Sequence, residues 1–332
     1  MANYKDIKGT TVQVKSGTQP TTYPQAAGEI YYNSSNGDYE FLGLGAGAWS
    51  SGGNMNTARA RIGSFGTQTA GLVAGGEIST ASVLVEQYDG TSWTEIADIN
   101  TARYYLKGFG NSSTSGFVVG GGLGAADSGK TETESWNGSS WTEVNDIGAG
   151  TESGGCAGTS TAAFFAGGYK YAAPAGQTNV TYEWDGTNWT SGGNINTARY
   201  NLAGAGGLTS GIIFGGTSGP PFGEHNETEL YDGSSWSEVS DMNTTAGHRG
   251  SASFERTNSP ALAFGGTPVT ANTESWDGSS WTEVANLSTA RHSGGSLGTT
   301  TSAALAGGST TPLTAATEEW TFSHSVKTVT TS

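Results

Sequence analysis

The sequence predicts an all-β fold, a six-bladed β-propeller closed by an N-terminal strand, and three observations carry that prediction. First, a unit whose clearest copy is Glu86-Gln87-Tyr88-Asp89-Gly90-Thr91-Ser92-Trp93-Thr94-Glu95 recurs at spacings in the forties, around Trp136 and Trp141, Trp184 and Trp189, Tyr231 and Trp236, and Trp276 and Trp281. Second, a glycine pair precedes each copy: Gly75-Gly76, Gly121-Gly122, Gly167-Gly168, Gly215-Gly216 and Gly265-Gly266. Third, the two ends complement one another. Trp49-Ser50-Ser51-Gly52-Gly53-Asn54-Met55-Asn56-Thr57-Ala58-Arg59 matches Trp189 to Arg199, so Trp49 is a last-strand tryptophan with no first three strands before it. Gly307-Gly308 and Glu318-Glu319-Trp320 supply a glycine pair and a third-strand aromatic with no second tryptophan after them. Joining the ends makes six complete units and removes the sheet edges an open array would expose.

Within a unit four strands follow in order, a to d. In the first unit they are expected at Ile62 to Gly66, Ala70 to Ala74, Val83 to Tyr88 and Ser92 to Ile96. Asp89-Gly90 between c and d reads as a two-residue hairpin turn, as do Asn137-Gly138, Asp185-Gly186, Asp232-Gly233 and Asp277-Gly278, which makes those aspartates turn formers and not catalytic acids. The glycine pairs end strand b where a Cβ would clash, and with no helix following they are not phosphate cradles. The paired Tyr and Trp residues across each c–d hairpin are expected in the core between blades.

Residues 1–45 lie outside the repeat and residues 46–332 form the propeller. Thr10 to Lys15 alternates like a strand, and Glu29 to Asn33 and Asp38 to Leu42 flank Ser34-Ser35-Asn36-Gly37 as a hairpin. A lone hairpin is marginal in water. This arm therefore either lies on its own propeller or attaches the chain to another subunit, and the second reading is preferred.

The chain's 332 residues carry 14 Lys+Arg against 29 Asp+Glu, a net charge of −15, which disfavours nucleic acid and anionic membrane as partners. The start lacks the apolar stretch of a secretory signal, and no run approaches the length of a membrane span. Cys156, the only cysteine, forms no intrachain disulfide, and its place on a strand a makes it a small buried residue.

Gly-Gly, then Glu-x-Tyr/Trp-Asp-Gly, Trp and Asn-Thr-Ala-Arg resembles a divergent kelch repeat from Trp49 to the C-terminal region. That resemblance implies the propeller but no particular activity, since such propellers serve unrelated functions. The Tyr31 to Leu42 hairpin after Ala27-Gly28-Glu29 resembles segments near the start of bacteriophage tail-fibre and virion structural proteins. Together with the Gly/Ser/Thr-rich repeats it is similar to structural proteins of marine phages. The resemblance implies a non-enzymatic virion protein on the particle surface, a tail-fibre, receptor-binding or decoration component. Other virion proteins would meet residues 1–45, host-surface glycan or protein would meet the loops, and self-association is possible. A purely structural capsid or tail subunit and a sialidase- or lyase-like glycan-degrading enzyme are the alternatives.

Candidate sites follow from which connections share a face. In a propeller the b–c and d–a connections open together. The longest b–c connections hold Tyr169, Lys170, Tyr171, Phe222, Glu224 and His225, aromatics beside polar groups of the kind that stack on sugars or anchor a protein contact, unless they are solvent-tolerant insertions. The d–a connections place Arg59, Arg103, Arg199, Arg249 and Arg291 near the channel, either as a ring that captures an anionic glycan or as a repeated packing device. His248 and His292 adjoin the ring without the carboxylate spacing of a metal site. No catalytic set, cofactor or metal site is expected: the tyrosine nucleophile, glutamate partner and acid of a sialidase cannot be assigned by spacing, and four histidines give no Ser-His-Asp set.

Overall fold

The computed structural model describes residues 30–33, 38–124, 129–172, 174–219, 223–253 and 257–328. The chain divides into two units, one comprising Trp49–Trp320 and the other the chain before Trp49 and after Trp320. In the second unit Ile30–Asn33 pairs antiparallel with the start of Asp38–Ser51, Asn33 opposite Asp38, as the hairpin prediction requires; the Ser34 to Gly37 turn and the Thr10 to Lys15 strand lie outside the described residues.

Trp49–Trp320 is a ring of six antiparallel four-stranded sheets. Blade 1 is Gly63–Thr67, Ala70–Ala74, Val85–Tyr88 and Trp93–Ile96, within one or two residues of expectation, and each innermost strand neighbours the next until the last returns to the first. Blade 6 is assembled from both ends of the chain. Asp38–Ser51 lies between Thr317–Thr328 and the arm's first strand, so the tryptophan strand that opens the repeat completes the sheet that ends it. Trp49 packs on Phe264 of blade 5 with ring centroids 4.9 Å apart and on Trp320 of its own sheet at 5.5 Å.

The seams between blades are apolar and aromatic. Tyr88 lies opposite Trp93, Trp136 opposite Trp141 and Trp276 opposite Trp281, and these rings are buried. Each strand-d tryptophan also has a fixed polar partner in the preceding blade. Trp93, Trp189, Trp236, Trp281 and Trp49 donate their indole N–H to Thr317, Thr133, Thr181, Thr228 and Thr273 at 2.9–3.0 Å. Blade 1 has Val85 where the others have that threonine, and Trp141 donates to the Ala97 carbonyl instead, at 3.0 Å. A buried indole N–H left unpaired costs about 1–3 kcal/mol, which explains why a donor repeated six times has an acceptor in every seam.

Two sequence expectations need correction. The c–d connection is a four-residue turn: Tyr88 pairs with Trp93, Asp89 N donates to Ser92 O, and Asp89 Oδ1 accepts from Thr91 N and Ser92 N at 2.8 Å. Of Asp89 and Gly90 only Gly90 has a positive φ, 91°. These carboxylates serve the turn, and backbone N–H donors hold Asp232 and Asp277 down at about 2. In blade 2 the glycine pair is Gly120-Gly121, one residue earlier than read, with φ of 61° and 91°. A Cβ on Gly120 would sit 2.4 Å from Thr151 O, so the close approach expected of these pairs holds in the corrected register.

Of the two readings of the arginines, the repeated packing device is the one the geometry supports. Arg59, Arg103, Arg199, Arg249 and Arg291 are each buried against a strand-c glutamate of their own blade, at 3.2 Å from Glu86, 3.1 Å from Glu134, 2.7 Å from Glu229, 3.4 Å from Glu274 and 2.8 Å from Glu318, and Arg249 also borders the lumen. The same glutamates accept from the incoming d–a loop. Glu86 takes Asn56 N at 2.6 Å and Asn56 Nδ2 at 2.9 Å, Asn100 and Asn196 repeat both bonds to Glu134 and Glu229, and Asn243 repeats them to Glu274. Arg199 and Arg291 also align hydrogen bonds on Gly215 O and Ala316 O, whereas Arg59 and Arg103 hold ion-pair distance without aligned bonds. Burial lowers the pKa of Arg59, Arg103, Arg249 and Arg291, and the paired glutamate opposes that shift in each. Arg249 is out of step. Gly216 N bonds Ala246 O where Gly76 N bonds Arg103 O, so the repeat position is Ala246, and a guanidinium from three residues later reaches the same carboxylate.

Blade 3 changes all three partners together. Gly148, Thr151 and Tyr182 stand where blade 2 has Asn100, Arg103 and Glu134, and a Cβ on Gly148 would lie 2.7 Å from the Tyr182 ring. The ring fills the volume that the ion pair occupies elsewhere. Replacing Glu134 alone by Tyr is expected to strand the Arg103 guanidinium and cost about 3–5 kcal/mol. The triple variant Asn100→Gly/Arg103→Thr/Glu134→Tyr is expected to recover at least half of that in urea denaturation; a triple variant no more stable than the single would refute the exchange.

Candidate functional site

Each d–a connection meets the b–c loop of the same blade just after the arginine position, with bridges Ala60–Glu77, Tyr104–Gly122, Glu152–Tyr169, Tyr200–Thr217, Gly247–Thr267 and His292–Ser309. The two sets of loops therefore share one face, as expected. The next residue in every blade turns into the left-handed region: Arg61, Tyr105, Ser153, Asn201, His248 and Ser293 have φ between 53° and 60°. Such a conformation costs a non-glycine residue about 1–2 kcal/mol.

A ring of backbone hydrogen bonds around the channel mouth holds them there. Tyr105 N donates to Arg61 O, Ser153 N to Tyr105 O, Leu202 N to Ser153 O, His248 N to Asn201 O, Ser293 N to His248 O and Arg61 N to Ser293 O, at 2.7–3.2 Å. All six blades share this backbone. Their side chains do not follow the repeat: among the six stations only serine occurs twice, in blades 3 and 6.

Those side chains build the candidate site. Tyr105 of blade 2 and His248 of blade 5 occupy opposite positions on the ring and stack across the mouth, centroids 5.6 Å apart and planes at 22°. His292 leans on His248 at 5.8 Å. The Arg61 guanidinium lies 4.7 Å over Tyr105 and 5.6 Å over Tyr104 and is ion-paired with Glu77. On the blade 3 side Tyr171 donates to Glu152 Oε1 at 3.2 Å, and Tyr169 packs edge-on against Tyr171 and Tyr200 at 4.8 and 5.3 Å. The result is a dish of five tyrosines with one arginine, two imidazoles and two carboxylates.

Burial sets its protonation. It pushes Tyr105 up to about 12 and raises Tyr104, Tyr171 and Tyr200, the Glu152 carboxylate adding to the effect at Tyr171. Burial holds His248 well below its usual range, with His292, Lys107 and Arg61 adding repulsion, and it lowers His292 as well. At neutral pH the dish offers phenol donors, neutral imidazoles and a paired guanidinium, a surface suited to hydroxyl groups and flat apolar faces.

Of the residues expected here, Tyr169 and Tyr171 are in the dish, and Tyr169–Lys170 forms a short ribbon with Gly176–Gln177 beside it. Glu224 accepts from Thr217 Oγ1 at 2.9 Å, and burial raises its carboxyl. His225 pairs with Glu227 through Nδ1 at 2.8 Å. Phe222 lies outside the described residues. Arg61, Tyr104, Tyr105, Tyr200 and Glu77 were not foreseen. Their signal was available: the two positions after the arginine read Ala60-Arg61, Tyr104-Tyr105, Glu152-Ser153, Tyr200-Asn201 and His292-Ser293, the least repetitive dipeptides in a repetitive frame. Among the described residues no cluster of His, Cys, Asp or Glu is arranged to hold a metal ion.

No family model matches the sequence, and no curated protein matches it. Solved structures do match, among them one titled "Structure of YjhT", at 13% identity and a TM-score of 0.66 over 82% of this chain and 99% of that one. At that identity the likeness shows the fold alone: a six-bladed β-propeller.

Because the folded state withholds a proton from His248, acid should destabilise the propeller. Below about pH 6.5 the unfolded imidazole binds a proton that the folded one refuses, so stability falls as pH drops. His248→Asn keeps a residue that tolerates positive φ, as Asn201 does at the equivalent place. Denaturation between pH 7.5 and 5.5 should show a shallower loss for the variant; parallel curves would refute the assignment.

Proposed function

We propose that this chain is a non-enzymatic binding propeller of a bacteriophage virion, fixed to the particle through residues 1–45 and contacting host-surface glycan through the face that carries the tyrosine dish. The virion context rests on the resemblance of the Tyr31 to Leu42 segment and the kelch-like repeats to phage structural proteins. The observation that carries the binding face is the dish itself: Tyr104, Tyr105, Tyr169, Tyr171 and Tyr200 gathered on loops that vary, above a backbone ring that does not. Ring faces stack on the C–H faces of sugars while phenols and carboxylates take hydroxyls. Protein contact is supported at the rim, where Ile78, Leu123 and Val269, the large hydrophobic residues most exposed among those described at 41%, 43% and 50%, all sit on b–c loops.

One observation favours a second reading. Tyr171 and Glu152 form a hydrogen-bonded tyrosine–carboxylate pair that spacing did not reveal, and such a pair is the nucleophile of some glycan-cleaving enzymes. Against it, burial raises the phenol's pKa where a nucleophile needs it lowered.

A glycan array probed with the full chain is expected to show binding that falls at least tenfold in Tyr171→Ala and Tyr169→Ala. Absence of binding to any host glycan by the unaltered chain would sink the glycan reading. Release of sugar from host polysaccharide that Tyr171→Phe abolishes would establish the enzyme instead. Deleting residues 1–45 should abolish incorporation into particles and leave glycan binding intact.

A further inference from the structure

Beneath the Tyr105–His248 stack the lumen runs between the inner strands, from Ile62 near the mouth to Thr67 and Thr299 at the a–b end, as a cavity of about 280 Å³. Its walls are mostly Gly, Ala, Ser and Thr, and among the described residues the charged ones lining it are Lys107 and Arg249, both cations. The Arg249 guanidinium is committed to Glu274. Lys107 is not so committed. It opens the inner strand of blade 2, at a position where the other blades carry Gly63, Gly155, Ala203, Gly250 and Gly295.

Lys107 Nζ reaches past blade 3 to donate to Leu202 O of blade 4 at 3.3 Å, and no carboxylate is ion-paired with it among the described residues. An ammonium has three donors, so two remain for the lumen. Among the described residues, the ionisable groups around it add no negative charge at neutral pH. His248 and Arg61 lie toward the mouth, Arg249 shares the wall, and burial pushes the neighbouring Cys156 thiol up to about 12. A half-buried charge without a counter-charge is costly, and in a chain with a net charge of −15 a lumen whose one unpaired charge among the described lining residues is a cation is a local reversal of sign.

We propose that Lys107 anchors a lumenal binding site for a small oxyanion, a carboxylate or a phosphate, that enters from the a–b end and is covered at the other end by Tyr105 and His248. The Nζ supplies the charge, and the hydroxyl- and glycine-lined wall leaves room for a ligand of a few heavy atoms with its water. Burial lowers Lys107 to about 8, so a bound anion, which favours the charged amine, takes up a proton near that pH, and affinity is lost as pH rises through about 8. This site is separate from the tyrosine dish, and its failure would leave the glycan reading untouched.

The test is calorimetric titration of the full chain with inorganic phosphate and, separately, with acetate, at pH 6.5 and pH 9. Saturable binding of at least one is expected at pH 6.5, at least tenfold weaker at pH 9 and in Lys107→Met. Phosphate alone or acetate alone assigns the class. Binding of neither, or binding that Lys107→Met retains, overturns the site. Should the variant fail to fold, titration of the unaltered chain at pH 8 in two buffers of different ionisation heat decides: proton uptake on binding supports the site, and its absence overturns it.

Discussion

The constraint on which this propeller depends is a buried carboxylate. Glu86, Glu134, Glu229, Glu274 and Glu318 sit one residue into their third strands, nearly inaccessible, and each must find donors for its buried oxygens. The donors come from the loop arriving from the preceding blade: in the clearest copies an asparagine backbone and side-chain amide, and in each a guanidinium. One carboxylate therefore ties the strand of one blade to the exit of another, which is what a ring of self-contained sheets needs to stay closed. A buried ion pair is weak evidence for net stability, but losing one partner strands the other and costs about 3–5 kcal/mol. The Arg249 substitution of origin makes the point: the guanidinium arrives from a different position and still finds Glu274.

A second repeated tie runs the other way along the seam, from the strand-d tryptophan back to a threonine of the preceding strand c. Blade 6 uses the same bond, Trp49 to Thr273 at 3.0 Å, although its tryptophan lies at the far end of the sequence from the strands it joins. Closure is thus the ordinary seam formed with chain ends, and needs no interaction of its own.

The architecture was legible in the sequence because repetition reveals packing: six tryptophans in register, glycine pairs at fixed distance and two half-units that fit. The roles of individual residues were less legible. The arginines could be read as a ligand ring or as a packing device, and what decides for packing is a partner 25 to 31 residues onward in the chain (Arg249 to Glu274, Arg103 to Glu134), visible as a pair only after strand c is folded back. The joint replacement by Gly148, Thr151 and Tyr182 in blade 3 was the sequence trace of that partnership, seen only as a broken pattern. Gly121-Gly122 was misplaced because three consecutive glycines leave the register open, and Thr151 O settles it by its distance from Gly120. Of the loop aromatics, Tyr169 and Tyr171 were found because their connection is long, while Tyr104, Tyr105 and Tyr200 were missed because theirs are short and resemble the repeat on either side.

The channel mouth separates what must repeat from what is free to differ. Its backbone is locked by a six-membered circuit of hydrogen bonds, and six non-glycine residues accept an unfavourable φ to complete it. Since that circuit uses no side chains, the residue at each station is released from structural duty, and the stations differ: arginine, tyrosine, serine, asparagine, histidine, serine. Asymmetry at a symmetric position is what marks the mouth as the candidate site, because packing that is repeated calls for residues that are repeated. Blade 3 extends the argument. Having exchanged its carboxylate clasp for the Tyr182 ring, it has no arginine at the mouth, and Glu152, the residue after the vacated position, is turned to Tyr171. The departure from the repeat and the densest group of candidate-site side chains lie in the same blade, where release from one buried charge accompanies the placement of another.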